Sequence, residues 1–249
     1  MPCTIFAHRG LSSVAPENTL VAIGACAENK VKWFETDVDI LGDSTPVVIH
    51  DTHLDRTTNR TGSIYDLTAE DLEGIDAGAW FGSEYRGQKL PTLAQLVELM
   101  NRKELNGNIE IKPNELGAEK VYQLLDAVIA ELAKLDEDRE VIISSFDHLA
   151  LAEFKRRAPQ YRVAALMTPE MLATNWRSTL ELLGAEVVHP DHAALTRENV
   201  KALKDAGYEI NAWTVNTRGR ANELLNWGVD GIITDFAHEY VDLEKEPQK

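Results

Sequence analysis

The sequence is poor in cysteine: Cys3 and Cys26 are the only two among 249 residues. A disulfide-dense scaffold is excluded. One thiol falls on the first strand candidate and the other inside the first helix candidate, and both are expected to be free, as in a reducing compartment. Long apolar runs are missing too. None approaches the roughly 20 residues that span a bilayer, so no membrane-spanning helix is expected. No basic start or apolar stretch of a secretory signal precedes the first strand candidate, which points to a cytoplasmic protein. Positive charge is scarce: 25 Lys and Arg against 41 Asp and Glu leave a net charge of −16. Such a surface repels nucleic acid and anionic membrane, and neither is expected as a partner. The rest is 44% hydrophobic and 27% charged, enough to bury a large core. A chain of about 250 residues suits one barrel as well as two smaller domains.

Short β-rich runs alternate with helical patterns. The strand candidates are Thr4–His8, Trp33–Ile40, Pro46–His50, Asn108–Lys112, Val141–Ser145, Arg162–Leu166, Glu186–His189, Glu209–Val215 and Gly231–Thr234. Helical periodicity covers Glu17–Asn29, Leu93–Asn101, Ala118–Leu135, His148–Arg157, the residues up to Leu183, Arg197–Ala206 and Arg220–Trp227. Asp147 is placed to cap the fourth of these helices. Alternation of this kind implies crossover helices and a parallel sheet. Nine strands are one too many for an eightfold barrel. Between "FETDVDI" and "PVVIHD" there is no room for a helix, so these two form an antiparallel hairpin and eight parallel strands remain. With Asp43 and Ser44 as a two-residue turn, Asp37 is expected to face His50 across the hairpin. Residues 51–91 fit no strand–helix unit and are expected to form a small cap beside the barrel mouth. The acidic tail, about 241–249, is expected to be disordered.

In a parallel barrel the C-terminal strand ends share one face. Those tips carry His8 and Arg9, Glu35 and Asp37, His50, and Glu110 and Lys112. Glu35 and Asp37 are two apart on a strand and share a side, as do Glu110 and Lys112. Three carboxylates inside apolar runs such as "NIEIK" need a partner, because burying a charge is costly. With no cysteine ligand, this donor set suits a hard divalent cation: Mg2+, Ca2+ or Mn2+ rather than Zn2+. A cation beside Arg9, Lys112 and two histidines points to a phosphorylated substrate, with His8 and His50 able to exchange protons near neutral pH. His53, His148, His189, His192 and His238 are taken as structural, although His189 and His192 in "HPDH" follow a strand and lie within reach of the mouth.

The ordered set "AHRG", "PENT", "FETDV", "VVIHD", "LDRTT", "PTL", "IEIK", "SSF", "AWTVN" and "GVDGIITD" resembles the glycerophosphodiester phosphodiesterases from Ala7 to about Asp235. The short cytosolic bacterial type linked to glycerol-3-phosphate uptake is the nearest in character. The resemblance implies one TIM (β/α)8 barrel over residues 1–249 with the small insertion after its early hairpin. It implies metal-dependent hydrolysis of small glycerophosphodiesters, such as glycerophosphocholine or glycerophosphoethanolamine, to sn-glycerol 3-phosphate and an alcohol. It makes His8 and His50 the acid–base pair, and Glu35, Asp37 and Glu110 the ligands of a divalent cation, Mg2+ or Ca2+ ahead of Mn2+. Arg9 and Lys112 match phosphate-contacting positions, and Phe146 and Trp213 match apolar residues on the glycerol side. The hairpin turn departs from the family pattern, with Leu41 and Ser44 where Thr and Gly are usual. Two rivals remain open: a lyase that stops at a cyclic phosphate, and a non-catalytic glycerophosphodiester sensor. A monomer and a homodimer are both compatible with the sequence.

Overall fold

The computed structural model describes residues 3–244. In chain order the strands are β1 (Thr4–Ala7), β2 (Trp33–Ile40), β3 (Pro46–Val48), β4 (Asn106–Ile111), β5 (Val141–Ser145), β6 (Arg162–Met167), β7 (Val187–Pro190), β8 (Glu209–Ala212) and β9 (Gly231–Thr234). All but β3 run parallel, and β1 pairs with both β2 and β9, so the eight close into a barrel. The helices are α1 (Leu20–Glu28), α2 (Leu93–Lys103), α3 (Ala118–Leu132), α4 (His148–Arg157), α5 (Pro169–Ala173), α6 (Trp176–Leu183), α7 (Arg197–Asp205) and α8 (Arg218–Trp227).

Local chemistry explains where the helices begin. Thr92 and Gln95 make a reciprocal capping box ahead of α2, and Thr196 and Asn199 make another ahead of α7. The Asp147 side chain accepts from the amides of Leu149 and Ala150, as its position before an apolar run predicts. α1 starts three residues later than its periodicity suggests. Asn18 holds a left-handed backbone (φ 57°), which no helix interior tolerates, and Thr19 takes the cap. The helical run up to Leu183 is two pieces, the first opened by Thr168 as cap and Pro169.

Strand residues pointing outward pack with the helices into the main core. Inside the barrel, Phe6, Ile142, Ala164, Val187 and Ile233 form a smaller apolar plug, with Trp33 and Trp213 against it. This plug floors the cleft that opens at the C-terminal strand ends. Leu54, Ile64, Leu72, Ile75, Ala77 and Leu90 of the insertion, with three short 3-10 turns among them, form a second core together with Leu41, Val47 and Ile49 of the hairpin. Tyr65 donates to Asp39 at 2.9 Å and Tyr85 to the Val14 carbonyl at 2.6 Å, holding this cap against the mouth.

Two expectations are corrected. The hairpin register is one residue out: Val38 pairs with Val48 and Ile40 with Pro46, so Asp37 faces Ile49 and not His50. The turn has three residues, Gly42 to Ser44, because Ser44 takes a left-handed conformation (φ 73°) that closes the loop one position earlier. The tail is ordered further than expected. Val241–Glu244 makes a 3-10 turn whose Val241 and Leu243 pack on the core, and Glu244 accepts from the Ile5 amide. The remaining tail, 245–249, lies outside the described residues. Cys3 and Cys26 are both free, and burial pushes each thiol up to about 12.

Candidate active site

β2 and β4 are neighbours in the barrel, with Asp37 in register with Glu110 and Glu35 with Asn108. Strand alternation turns Glu35, Asp37 and Glu110 to the same interior side. All three are buried, and each offers an oxygen within 4.8 Å of the others'. Burial and the charges of Asp37 and Glu110 push Glu35 well above the usual carboxylate range. Burial and Asp37 raise Glu110 to about 7. Burial also works against Asp37, but Lys112 and Arg9 outweigh it and hold its carboxyl below the ordinary value. Lys112 Nζ lies 2.8 Å from Glu110 and 3.3 Å from Asp37. Two cations thus serve three carboxylates, and negative charge is left over. An all-oxygen, buried, over-charged cluster fits a hard divalent cation.

The two histidines reach the mouth by different routes. His8 follows β1. His50 follows β3, which stands on the β1 side of β2 above the point where β1 ends, because β2 pairs with β1 at Trp33 and Phe34 and with β3 from Val38 onward. The chain leaves the ladder after Val48, and both histidines line one cleft together with Arg9, Glu35, Asn108, Glu110, Phe146, Leu166, Trp213, Thr214 and Ile233. Each ring has a carboxylate at Nδ1: Asp235 at 2.7 Å for His8, and Asp51 at 2.6 Å for His50. A carboxylate only accepts, so each Nδ1 carries the proton and each Nε2 is left for chemistry. His8 Nε2 lies 3.9 Å from Glu35. Burial lowers the His50 pKa, and the Lys112 and Arg9 charges add to this against Asp37.

"HRG" is a backbone device as much as a set of side chains. Arg9 and Gly10 are both left-handed (φ 57° and 78°), which points the Arg9 amide at Glu35 Oε2, 3.0 Å away. Only glycine fits at position 10, where a Cβ would stand 2.7 Å from the Ala22 backbone. The Arg9 side chain donates to Glu17 at 2.8 Å, and its Nε is buried without a hydrogen-bond partner, 3.5 Å from Asp37. Asn18, left-handed itself, donates to Asp37 at 2.8 Å and accepts from Thr36.

Of the site residues expected from the sequence, His8, Arg9, Glu35, His50, Glu110, Phe146 and Trp213 line the cleft, while Asp37 and Lys112 stand behind it, paired with each other and, through Lys112, with Glu110. Phe146 and Trp213 meet edge to face, ring centroids 5.5 Å apart, and Trp213 Nε1 donates to the His189 carbonyl. His189 is enclosed inside the barrel and His148 donates to the Leu166 carbonyl, so neither lines the cleft; nor do His53, His192 and His238. Sequence reasoning missed Asp51, Asp235, Asn18, Glu17 and Arg56. Asp51 directly follows His50 and Arg56 lies six residues on, Glu17 and Asn18 stand in "PENT" a few residues after Arg9, and Asp235 ends "GVDGIITD", far in sequence from any of the candidate side chains. For the first four the available signal is adjacency; for Asp235 it is only that the residue directly follows a strand end at the same barrel face.

Comparison with known proteins agrees with this geometry. The model of the glycerophosphoryl diester phosphodiesterase family matches residues 8–239. The glycerophosphodiester phosphodiesterase of Caldanaerobacter subterraneus subsp. tengcongensis is 33% identical over 99% of both chains. That of Bacillus subtilis is 30% identical over 96% of this chain and 85% of its own. The structure of an Oleispira antarctica phosphodiesterase in complex with the product sn-glycerol 3-phosphate superimposes with a TM-score of 0.92, at 31% identity and covering 97% of this chain and 96% of that one. A match from the first motif histidine to the turns after the last strand, over a barrel with this mouth, leaves one assignment: the chain belongs to the glycerophosphoryl diester phosphodiesterase family.

Proposed function

We propose that this protein hydrolyses small glycerophosphodiesters, glycerophosphocholine and glycerophosphoethanolamine among them, to sn-glycerol 3-phosphate and an alcohol. The observation that carries the reading is the convergence of three buried carboxylates with His8 and His50 at one barrel mouth. The product named for the Oleispira structure supports the glycerol 3-phosphate half of the reaction.

Glu35, Asp37 and Glu110 would hold a divalent cation, Mg2+ or Ca2+ first and Mn2+ next, which would supply Lewis-acid polarisation of the phosphate and offset its charge. Arg9 lines the cleft and Lys112 stands against the same Asp37 carboxylate, so two positive charges face the place where a phosphate would sit. Phe146 and Trp213 offer an apolar wall to the glycerol carbons. One imidazole Nε2 takes the proton of the attacking hydroxyl, from water or from the neighbouring glycerol carbon. The other gives a proton to the alcohol oxygen as its bond to phosphorus breaks. The carboxylates at Nδ1 fix the tautomer each step requires.

The test is a coupled glycerol-3-phosphate assay on several glycerophosphodiesters, with EDTA and then with Mg2+, Ca2+ or Mn2+ restored singly. Activity is expected to vanish with EDTA and return with a metal. His8→Ala and His50→Ala should each lower kcat by roughly 10²–10⁴. Full turnover in both variants at saturating metal would end the acid–base assignment. A cyclic phosphate persisting in phosphorus NMR would turn the reading into a lyase.

A further inference from the structure

Arg56 sits in the insertion, in "LDRTT", outside the barrel and outside the cleft lining. Its guanidinium nevertheless makes four hydrogen bonds to two carboxylates. Nε donates to Asp51 Oδ2 at 2.6 Å and Nη2 to Asp51 Oδ1 at 3.2 Å. Nη1 donates to Glu17 Oε2 at 2.8 Å and Nη2 to Glu17 Oε1 at 2.8 Å. Beyond each carboxylate stands a cleft residue: Asp51 holds His50 Nδ1, and Glu17 holds Arg9 Nη1. We propose that Arg56 is a positioning residue for the reaction, one planar fork that fixes at once the carboxylate orienting an acid–base histidine and the carboxylate orienting the phosphate-facing arginine.

Geometry supports a positioning role over a plain surface ion pair. A single exposed pair contributes little. Here four of the five guanidinium N–H groups are engaged along two edges of one plane, and Arg56, itself 45% exposed, reaches inward to partners only 27% and 13% exposed. Burial alone would raise both carboxyls, yet Arg56 helps to bring Asp51 down to about 2 and Glu17 below its usual range. Both therefore stay fully charged next to His50 and Arg9. A lysine at position 56 would keep the charge but not the fork, since an ammonium is a point donor. The cap formed by residues 51–91 thus takes part in catalysis through the angle at which it delivers one side chain.

This inference rests on the proposed hydrolysis, and the experiment separates the two. Arg56→Lys and Arg56→Gln are compared with wild type for kcat, KM and thermal midpoint, alone and in a His50→Ala background. Loss of an orienting partner is expected to cost roughly 10–100-fold in kcat/KM. Arg56→Lys should recover little of it, with the thermal midpoint within a few degrees of wild type. In the His50→Ala background, Arg56→Gln should cost less than it does alone, because part of its effect acts through the missing ring. A second readout needs no turnover: the low-field proton resonance of His50 Nδ1–H, identified by its loss in His50→Ala, should move in Arg56→Gln. If the wild type hydrolyses nothing but the resonance moves, the function fails and the positioning stands. If Arg56→Gln leaves kcat, KM and the resonance unchanged, or Arg56→Lys restores everything, the positioning role is overturned.

Discussion

His8 and Asp235 are 227 residues apart and joined by a 2.7 Å hydrogen bond. The bond crosses the seam where β9 meets β1, the last ladder to form if the barrel closes in chain order. Asp235 is itself held by Ser12 and by Asn216 at 2.6 Å, so the carboxylate cannot swing away. His50, by contrast, is oriented by its own neighbour, Asp51. Of the two proposed acid–base rings, only His8 is oriented by a residue that barrel closure delivers.

Asp235→Ala should therefore lower kcat by roughly 10–100-fold, the usual effect of removing an orienting partner. Asp235→Asn should recover part of that loss, since its amide oxygen still accepts a hydrogen bond while the charge is gone. Steady-state kinetics at saturating metal check both. Equal kcat for wild type and Asp235→Ala would show that His8 needs no orientation from the seam.

The carboxylate cluster predicts opposite effects with and without metal. Without metal, Glu35 is raised by burial and by two neighbouring charges, so its ionised form costs stability at neutral pH. Glu35→Gln removes that repulsion and should leave the EDTA-treated protein as stable as wild type or more so. With metal the order should reverse. A cation at 100 times its Kd stabilises wild type by about 2.7 kcal/mol, and the variant should lose most of this. Thermal melts with EDTA and with excess Mg2+ or Ca2+ make the comparison. An equal metal-induced rise in both proteins would place the ion elsewhere.

Much of the architecture was legible because it is written in periodicity. Continuous apolar runs such as "VIISS" mark buried parallel strands, and the short "LGDST" connector betrays the hairpin. The carboxylates stood out because Glu35, Asp37 and Glu110 interrupt apolar strands, where an unpaired charge is expensive. Register was lost by one residue because Ser44 adopts the left-handed turn without being glycine or asparagine, so nothing local announces it. Asp51, Arg56 and Asp235 were overlooked for a related reason: charged residues just beyond strands or in loops look solvated, and only three-dimensional closure shows what they hold. The order at 241–244 was not legible because Val241 and Leu243 are two apolar residues in an acidic stretch, too few to form a pattern.

His189 supplies a pH prediction separate from catalysis. It is fully buried, accepts from the Asn211 amide at Nε2, and burial together with Arg162 lowers it to about 3. An unfolded histidine titrates near 6.5. The folded pKa is thus depressed, and the neutral ring's contribution is intact above about 6.5. As pH falls from there toward 3, the unfolded state takes up a proton that the folded state refuses, and stability drops by up to about 1.4 kcal/mol per pH unit. Urea unfolding in EDTA between pH 7 and 4 should show a shallower decline for His189→Gln, by as much as one proton. Identical slopes would mean that the ring is protonated in the folded protein or reached by water.

Gly10 ties the backbone to the chemistry, and its replacement can be separated from ordinary strain. An alanine there keeps the left-handed φ of 78°, at about 1–2 kcal/mol. It also drives a methyl to 2.7 Å from the Ala22 carbonyl carbon and 2.8 Å from the Ile23 nitrogen, overpacking of about 1–3 kcal/mol. Relief requires the first turn of α1 or the Arg9–Gly10 turn to move, and a shift of the turn carries the amide that meets Glu35. Gly62 is the natural control: its φ is 106°, but no atom lies within 4 Å of an added Cβ. Gly62→Ala should lose stability with kcat unchanged, whereas Gly10→Ala should lose more stability and also bind metal and substrate more weakly. Denaturation midpoints, metal titration and KM measured on both variants decide the matter. If Gly10→Ala folds and matches Gly62→Ala in KM and metal affinity, the HRG turn is a structural bend with no bearing on the site.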